Sequence, residues 1–210
     1  MRPPRLLAVT DPGAGAAAGP PWTAWCTALA HGGVDGLLLR DRGLSDRLRL
    51  ERATAARIAF PIPSLLFVSA RADLALAVGA DGVQLPASGL PLAPLRAAFG
   101  DRLTFGRSTH EIDEIRAARD DGIDFVIFGP VFSTPSKVGR IEPRGISSLA
   151  EAVRVGPPVI AIGGIDSTNA AAVAGTGAAG IAAIRLFADP GRDANRLREI
   201  AALFRRTDLG

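Results

Sequence analysis

Short apolar runs alternate with longer stretches of helical pattern along the whole chain of 210 residues. The runs are rich in Val, Ile, Leu and Phe, which is typical of buried parallel strands. The predicted strands are Arg5–Val9, Gly36–Leu39, Ser64–Val68, Gly82–Leu85, Leu103–Gly106, Phe125–Phe128, Val159–Ile162 and Gly180–Ile184. The predicted helices are Pro21–Ala30, Ser45–Ala59, Ala72–Val78, Leu92–Phe99, Glu111–Asp121, Ser147–Arg154, Ser167–Thr176 and Asp193–Phe204.

Strict alternation of strands and helices predicts a parallel sheet whose outer face is covered by helices. A strand–helix unit recurs about every 25 residues, which fits a single (β/α)8 TIM barrel. We expect one domain of this type over residues 1–210. The main alternative is an open doubly wound sheet. It is disfavoured because the segment "DPGAGAAAGP" after the first strand lacks a dinucleotide fingerprint and opens onto no helix directly.

Composition narrows the range of partners and compartments. The chain is 48% hydrophobic with a net charge of +3, and its arginines are scattered, which favours small anionic ligands over nucleic acid. The only cysteine, Cys26, excludes an internal disulfide and suits a reducing cytoplasm, with packing as its expected role. No apolar run approaches the roughly 20 residues of a membrane span, and the N-terminal run is too short for a signal peptide. We therefore expect a cytoplasmic protein without nucleic-acid or membrane partners, with a homodimer left open.

Polar and cationic residues follow most of the predicted strands. In a TIM barrel the carboxyl ends of the strands form the active-site face. These residues are Thr10, Asp11, Arg40, Asp41, Arg42, Ser69, Arg71, Gln84, Arg107, Ser108, His110, Ser133, Thr134, Ser136, Lys137 and Arg185. Because cations dominate, the face predicts a small ligand with more than one anionic group.

The stretch "STPSK" after the sixth strand contains the only lysine of the chain, Lys137, among 24 lysines and arginines. One interpretation is chance placement in an arginine-rich sequence. The other is a requirement for a compact ammonium where a planar guanidinium fits less well. On the second interpretation Thr134, Ser136 and Lys137 bind an anionic ligand.

A glycine pair, Gly163-Gly164, closes the seventh strand just before the helix predicted from Ser167. Glycines let backbone N–H groups approach an anion closely, and a helix start adds a favourable dipole. Phosphate binding after the seventh and eighth strands recurs in TIM barrels. Together with Arg185 after the eighth strand, the pair predicts a phosphate site.

Six motifs carry a resemblance to the thiamine-phosphate synthase/TenI superfamily, and the likeness runs from about Leu6 to Leu186. They are "AVTD", "GADGVQLP", "GRSTH", "FGPVFSTPSK", "RGISSL" and "AIGGI". The resemblance implies a phosphate-binding (β/α)8 barrel. Its synthases join a hydroxymethylpyrimidine diphosphate to a thiazole phosphate with magnesium, whereas some TenI-type members aromatise a carboxythiazole phosphate.

The resemblance also assigns ligand-binding positions. Those implied for the phosphorylated substrate are Thr134, Ser136, Lys137, Gly164, Ile184, Arg185 and Ser108. Synthases usually carry a serine where this chain has Arg185. The diphosphate motif Gln-x-Arg-x-Lys of the synthases appears here as Leu38 to Arg42, so that Arg40 and Arg42 are the expected cations.

Several departures concern metal and proton chemistry. Ser69 and Ala70 replace the Asn-Asp pair of the synthases, and Gly89 replaces a second magnesium aspartate. Magnesium prefers hard oxygen ligands such as carboxylates. We therefore expect neither a metal nor another cofactor, and little synthase activity. The histidine of the TenI-type tautomerases is Pro130 here, and a proline cannot move a proton.

The sequence alone favours a TenI-like protein, closer to the tautomerase type, that binds a small phosphorylated heterocycle and shifts a proton. The candidate acid–base residues are His110, Asp11 and Lys137. One alternative is a thiamine-phosphate synthase. Another is a binding protein of the same pathway without catalytic activity.

Overall fold

Eight parallel strands close into a barrel in the computed structural model, which describes residues 2–10, 20–41, 43–134 and 142–204. The strands are β1 Leu6–Val9, β2 Gly36–Leu39, β3 Leu65–Ser69, β4 Gly82–Leu85, β5 Thr104–Thr109, β6 Phe125–Phe128, β7 Val159–Ile162 and β8 Gly180–Ala183. They pair in chain order, and β8 pairs with β1. The closure confirms the predicted TIM barrel, and the open-sheet alternative is wrong.

Helices cover the outside of the barrel. They are α1 Pro20–His31, α2 Asp46–Ala59, α3 Ala72–Ala77, α4 Leu92–Phe99, α5 Ile112–Asp120, α6 Gly145–Val155, α7 Ala170–Ala174 and α8 Ala194–Leu203. Cys26 of α1 is fully buried in the layer between helices and sheet, as predicted, and burial raises the pKa of its thiol to about 12. None of the helices in the described part of the chain is long and apolar enough to cross a membrane.

The barrel interior is a second apolar core, separate from the layer under the helices. Its buried side chains are Leu7, Val9, Leu38, Phe67, Phe125, Ile127, Ile160 and Ala182. Because side chains alternate across a strand, every second residue points inward. The rings of Phe67 and Phe125 meet edge to face with centroids 5.3 Å apart. The described part of the barrel interior is therefore packed with apolar side chains.

Helix α7 begins at Ala170, three residues later than the sequence predicts. Side chains in the preceding turn bond to nearby backbone groups instead. Asp166 Oδ1 accepts from the Thr168 backbone N at 2.8 Å, and Asn169 Oδ1 accepts from the Asp166 backbone N at 3.0 Å. Such local bonds compete with helix formation. The expectation of a helix N-terminus at Ser167, beside the glycine pair, is therefore wrong.

A buried ion pair fixes the carboxyl ends of β1 and β2. Arg52 of α2 is only 1% exposed and donates from Nε to Asp41 Oδ2 at 2.9 Å. Its guanidinium also lies 3.8 Å from the ring centroid of Trp22. The Thr10 hydroxyl donates to Asp41 Oδ1 at 2.9 Å and accepts from the Arg40 backbone N at 2.7 Å. This network holds the backbone of Arg40 at the rim of the barrel.

Candidate active site

A cavity of about 520 Å³ opens at the carboxyl ends of the strands. Most of the predicted binding residues that the structure describes line it. They are Arg40, Ser108, His110, Thr134, Gly163, Gly164, Ile184 and Arg185. The remaining predicted residues, Asp11, Arg42, Ser136 and Lys137, lie outside the described residues.

Two of the arginines predicted on this face do not line the cavity. Side chains alternate along β5, so that Ser108 faces the interior and Arg107 faces outward. There Arg107 forms an ion pair with Asp121 at 2.8 Å. Arg71 pairs with Asp46 at 2.7 Å and with Asp73 at 2.8 Å. Hydrogen bonding to Arg71 lowers the pKa of the Asp73 carboxyl to about 2. Of the arginines that the structure describes, only Arg40 and Arg185 line the cavity.

One wall of the cavity, here called the glycine side, is formed by Thr134, Gly163, Gly164, Ile184 and Arg185. Both glycines have positive φ, 102° at Gly163 and 63° at Gly164. Arg185 is exposed at the rim. This wall combines bare backbone with a cation, as the sequence predicted for a phosphate site.

The loop after β6 packs directly on the glycine pair. A Cβ on Gly163 would lie 2.6 Å from Pro130, and one on Gly164 would lie 2.5 Å from the Ser133 carbonyl oxygen. The Val131 backbone N donates to the Ile162 carbonyl at 2.9 Å, so that the loop continues beside β7. Local packing by itself therefore requires glycine at both positions.

The two ends of the same loop lie next to each other and are joined by backbone hydrogen bonds. The Pro130 carbonyl accepts from the Arg144 backbone N at 2.8 Å. The Val131 carbonyl accepts from the Gly145 backbone N at 3.0 Å, at the start of α6. Both ends of the loop are thus bound to each other at the rim of the cavity.

The opposite wall, here called the amide side, consists of Ser69 on β3, Gln84 on β4 and Ser108 on β5. Gln84 is 4% exposed, and its Nε2 donates to Ser108 Oγ at 3.2 Å. Its Oε1 is buried without a hydrogen-bond partner among the described residues. Sequence reasoning placed Gln84 on this face without giving it a role. The available signal was an amide within the apolar strand "GVQL".

His110 lies between the two walls, just after β5. Its Nδ1 bonds the Gly129 carbonyl oxygen. Because a carbonyl only accepts hydrogen bonds, Nδ1 carries the proton in the neutral ring, and Nε2 is left as an acceptor. The Glu114 carboxylate accepts from the His110 backbone N at 2.5 Å. The ring is thus held in one tautomer, which an acid–base group needs, and its predicted catalytic role stays a prediction.

The described residues do not fit the magnesium site of the synthases. No carboxylate occurs among the cavity-lining residues that the structure describes. The buried carboxylate of Asp41 is bonded to Arg52 and Thr10, and that of Asp73 is bonded to Arg71. Within the described ranges, no cluster of three or more His, Cys, Asp or Glu residues could hold a metal. A hydroxyl at Ser69 alone is a poor substitute for two carboxylates.

Fold and site together define a closed (β/α)8 barrel with an arginine-bearing cavity at the carboxyl ends of its strands. The chain belongs to the thiamine monophosphate synthase family, whose model matches residues 6–187. The predicted superfamily is thereby confirmed.

Relatives and a solved structure agree on this family. A thiamine-phosphate synthase of Anaeromyxobacter dehalogenans is 45% identical over 139 residues, 64% of this chain and 63% of that protein. A thiamine-phosphate synthase of Chlorobium luteolum is 38% identical over 185 residues, 86% of each chain. The solved thiamine phosphate pyrophosphorylase from Pyrococcus furiosus is 31% identical with a TM-score of 0.80, covering 98% of this chain and 97% of that one. This chain spans less than two thirds of the Anaeromyxobacter relative.

These relatives correct the function inferred from sequence alone. Two of them are named thiamine-phosphate synthase and the third thiamine phosphate pyrophosphorylase, so the preference for a TenI-like tautomerase is wrong. That preference rested on a few short motifs, chiefly the missing metal ligands at Ser69, Ala70 and Gly89, whereas the likeness extends over residues 6–187. A change of metal ligands at the rim leaves the strands and most of the cavity unchanged. It therefore says little about which substrates the cavity accepts.

Proposed function

We propose that this protein is a thiamine-phosphate synthase, which joins a hydroxymethylpyrimidine diphosphate to a thiazole phosphate. The observation that carries the proposal is the whole-chain likeness to the pyrophosphorylase of Pyrococcus furiosus, together with a cavity of suitable size at the expected face. Localisation in the cytoplasm and a homodimeric state remain predictions, which cell fractionation and size-exclusion chromatography would test.

The glycine side is the proposed site of the thiazole phosphate. Backbone at Gly163 and Gly164 can approach the phosphate closely, because neither residue has a side chain. Arg185 supplies a guanidinium suited to a phosphate group. Lys137 and Ser136 remain predicted ligands of the same group from the sequence.

The proposed reaction forms one bond and breaks one. The thiazole ring nitrogen donates its lone pair to the methylene carbon of the pyrimidine, and the carbon–oxygen bond to diphosphate breaks with its electron pair. No proton is transferred in this step, so Pro130 in place of the tautomerase histidine is no obstacle. Charge develops on the departing diphosphate, and nearby cations stabilise it. Arg40 is the described candidate, with Arg42 and Lys137 predicted from the sequence.

Incubation with both substrates tests the proposal directly. Thiamine phosphate should form, as measured by conversion to a fluorescent thiochrome derivative, and omission of either substrate should abolish the signal. A turnover of about 1 per second or more is typical of enzymes. Binding of both substrates without product would contradict the proposal and favour a binding protein.

A further inference from the structure

The two tryptophans of the chain, Trp22 and Trp25, lie one turn apart on α1. Their rings stack with centroids 5.3 Å apart and an interplanar angle of 25°. Trp22 Nε1 donates to the Arg52 carbonyl at 3.1 Å, and Trp25 Nε1 donates to the Phe187 carbonyl at 2.9 Å. One indole is thus bonded to helix α2, and the other is bonded to the segment that follows β8.

That segment is a short turn of 3-10 helix, Arg185–Phe187, closed by a bond from the Phe187 backbone N to the Ile184 carbonyl at 3.2 Å. Ile184, Arg185 and Leu186 line the cavity. The side chain of Phe187 is fully buried in the layer between helices and sheet. The turn therefore presents three residues to the cavity and is anchored in the core through the next one.

Trp25 fixes the anchored end of this turn from outside the turn itself. Hydrogen bonds in 3-10 helix have poorer geometry than those of an α-helix, so the orientation of such a turn depends on contacts with the rest of the fold. Arg185 is exposed, and its guanidinium lies at the end of a long side chain. A small tilt of the turn would therefore displace the guanidinium widely.

We propose that Trp25 is a positioning residue for Arg185, because its indole N–H holds the turn after β8 where the guanidinium can reach the phosphate group of a bound ligand. The inference rests on the proposed function, which assigns thiazole phosphate to the glycine side. Trp25 does not line the cavity. It therefore acts through Arg185 and not by contact with the ligand.

Calorimetric titration with thiazole phosphate at pH 8 tests the hydrogen bond. Trp25→Phe keeps an aromatic ring but removes the N–H, and the affinity should fall about fivefold, the scale of one hydrogen bond. Trp25→His should recover most of the affinity, because imidazole can place Nε2–H where indole has Nε1–H. At this pH the imidazole is neutral and adds no charge. A folded histidine variant that binds no better than Trp25→Phe would overturn the inference.

A double-mutant cycle separates positioning from a general loss of order. Arg185→Ala removes the group that Trp25 is proposed to place. Trp25→Phe should therefore cost no further affinity in that background, whereas independent contributions would multiply. Multiplied losses, or an unchanged affinity in Trp25→Phe alone, would show that Trp25 does not act through Arg185.

Trp22→Phe is the matched control. It also removes an indole N–H from α1, but the bond that is lost goes to the Arg52 carbonyl and not to the turn. Its affinity for thiazole phosphate should match that of wild type, and thermal melting verifies that each variant is folded. An equal fall in Trp22→Phe and Trp25→Phe would indicate loosening of the whole of α1 and would contradict a specific role of Trp25.

Inorganic phosphate, followed by phosphorus NMR, is the second probe, because it tests the turn without the thiazole ring. The variants should show the same order of affinities as with thiazole phosphate. If that order holds while wild type forms no thiamine phosphate from the two substrates, the proposed function is wrong and the role of Trp25 stands. If wild type and Trp25→Phe bind inorganic phosphate equally, the role of Trp25 is wrong whatever the synthase assay shows.

Discussion

The glycine side and the amide side of the cavity differ in how tightly the fold constrains them. Gly163 and Gly164 have positive φ and pack against the loop after β6, so most substitutions there would disturb the fold. Ala70, just after β3 on the other side, also has a positive φ, 59°, but its side chain is exposed. The chain departs from the synthases on both walls, at Arg185 on the glycine side and at Ser69 on the amide side, while it keeps the glycine pair. In the proposed function the substrate phosphate binds at the ends of β7 and β8, whereas Ser69 lies on β3, so these two parts of the cavity can change independently.

The largest expected effect is that of Gly164→Asp on the glycine side. The new side chain meets the Ser133 carbonyl and places a carboxylate where phosphate is proposed to bind. Affinity for thiazole phosphate should fall more than about 100-fold, since both steric and charge terms oppose binding. Calorimetric titration measures the affinity, and chemical denaturation measures the free energy of unfolding.

Gly79→Asp is the matched control for backbone strain. Gly79 has φ 64°, close to the 63° of Gly164, but nothing lies within 4 Å of its added Cβ. The cost of left-handed backbone, about 1–2 kcal/mol, should therefore be its main effect. Parent-like affinity for thiazole phosphate in folded Gly164→Asp would show that phosphate does not bind at the glycine side.

Arg185→Ala should have the next largest effect. Loss of one charged hydrogen bond, roughly 1.5–3 kcal/mol, should weaken thiazole phosphate binding about 10- to 150-fold. The melting temperature should hardly move, because the side chain is exposed. Arg192→Ala removes a charge from an exposed site that does not line the cavity. An equal loss in both variants would indicate long-range attraction instead of a contact at the glycine side.

Ala70→Asp places a carboxylate just after β3, next to Ser69 of the amide side. Ala70 has φ 59°, and aspartate adopts this left-handed region more readily than alanine. Stability should therefore change by no more than about 0.5 kcal/mol. Magnesium should not affect synthesis by the parent, whose described residues do not fit the ion, but it should raise the rate in this variant. Ala70→Asn keeps the shape without the charge and should leave the magnesium response unchanged. The same rise in rate in both variants would rule out metal binding as its cause.

The smallest effect concerns Arg71, outside the cavity. In Arg71→Gln the pKa of Asp73 should rise from about 2 toward its ordinary value, as followed by NMR titration of the carboxyl. Because the pKa of Asp73 is lowered in the folded state, its pairing with Arg71 stabilises the fold at pH values above the unfolded-state pKa of about 3.9. This stabilisation is lost as the pH falls through the folded-state pKa of about 2. The pair is exposed, so melting at pH 7 should hardly change. Weaker substrate binding in this variant would place Arg71 in the site after all.

Much of the fold could be predicted from the sequence, because apolar runs bounded by glycine or proline define the strands. Four predicted strands match the structure residue for residue, namely Gly36–Leu39, Gly82–Leu85, Phe125–Phe128 and Val159–Ile162. The start of α7 could not be predicted so well. There the turn depends on side-chain bonds of Asp166 and Asn169, which hydrophobic periodicity does not reveal.

The sequence predicted which residues lie at the candidate site, but it predicted only some of their contacts. The rule that sites lie after the strands located Ser108, Thr134 and Gly164 in the cavity. Partners distant in sequence decide where an arginine points, and no local pattern shows that Arg71 pairs with Asp46. The unpaired amide of Gln84 is likewise a property of packing between strands.

The paired ends of the loop after β6 have a consequence for how the protein can be changed. Backbone hydrogen bonds from Arg144 to Pro130 and from Gly145 to Val131 close the loop at its base. Doubling the length of a flexible loop closed in this way costs only about 0.6 kcal/mol in chain entropy. Segments of different length and composition can therefore be exchanged between these anchor points while the barrel keeps its register. Such an exchange would replace the predicted ligands Ser136 and Lys137 without altering the barrel.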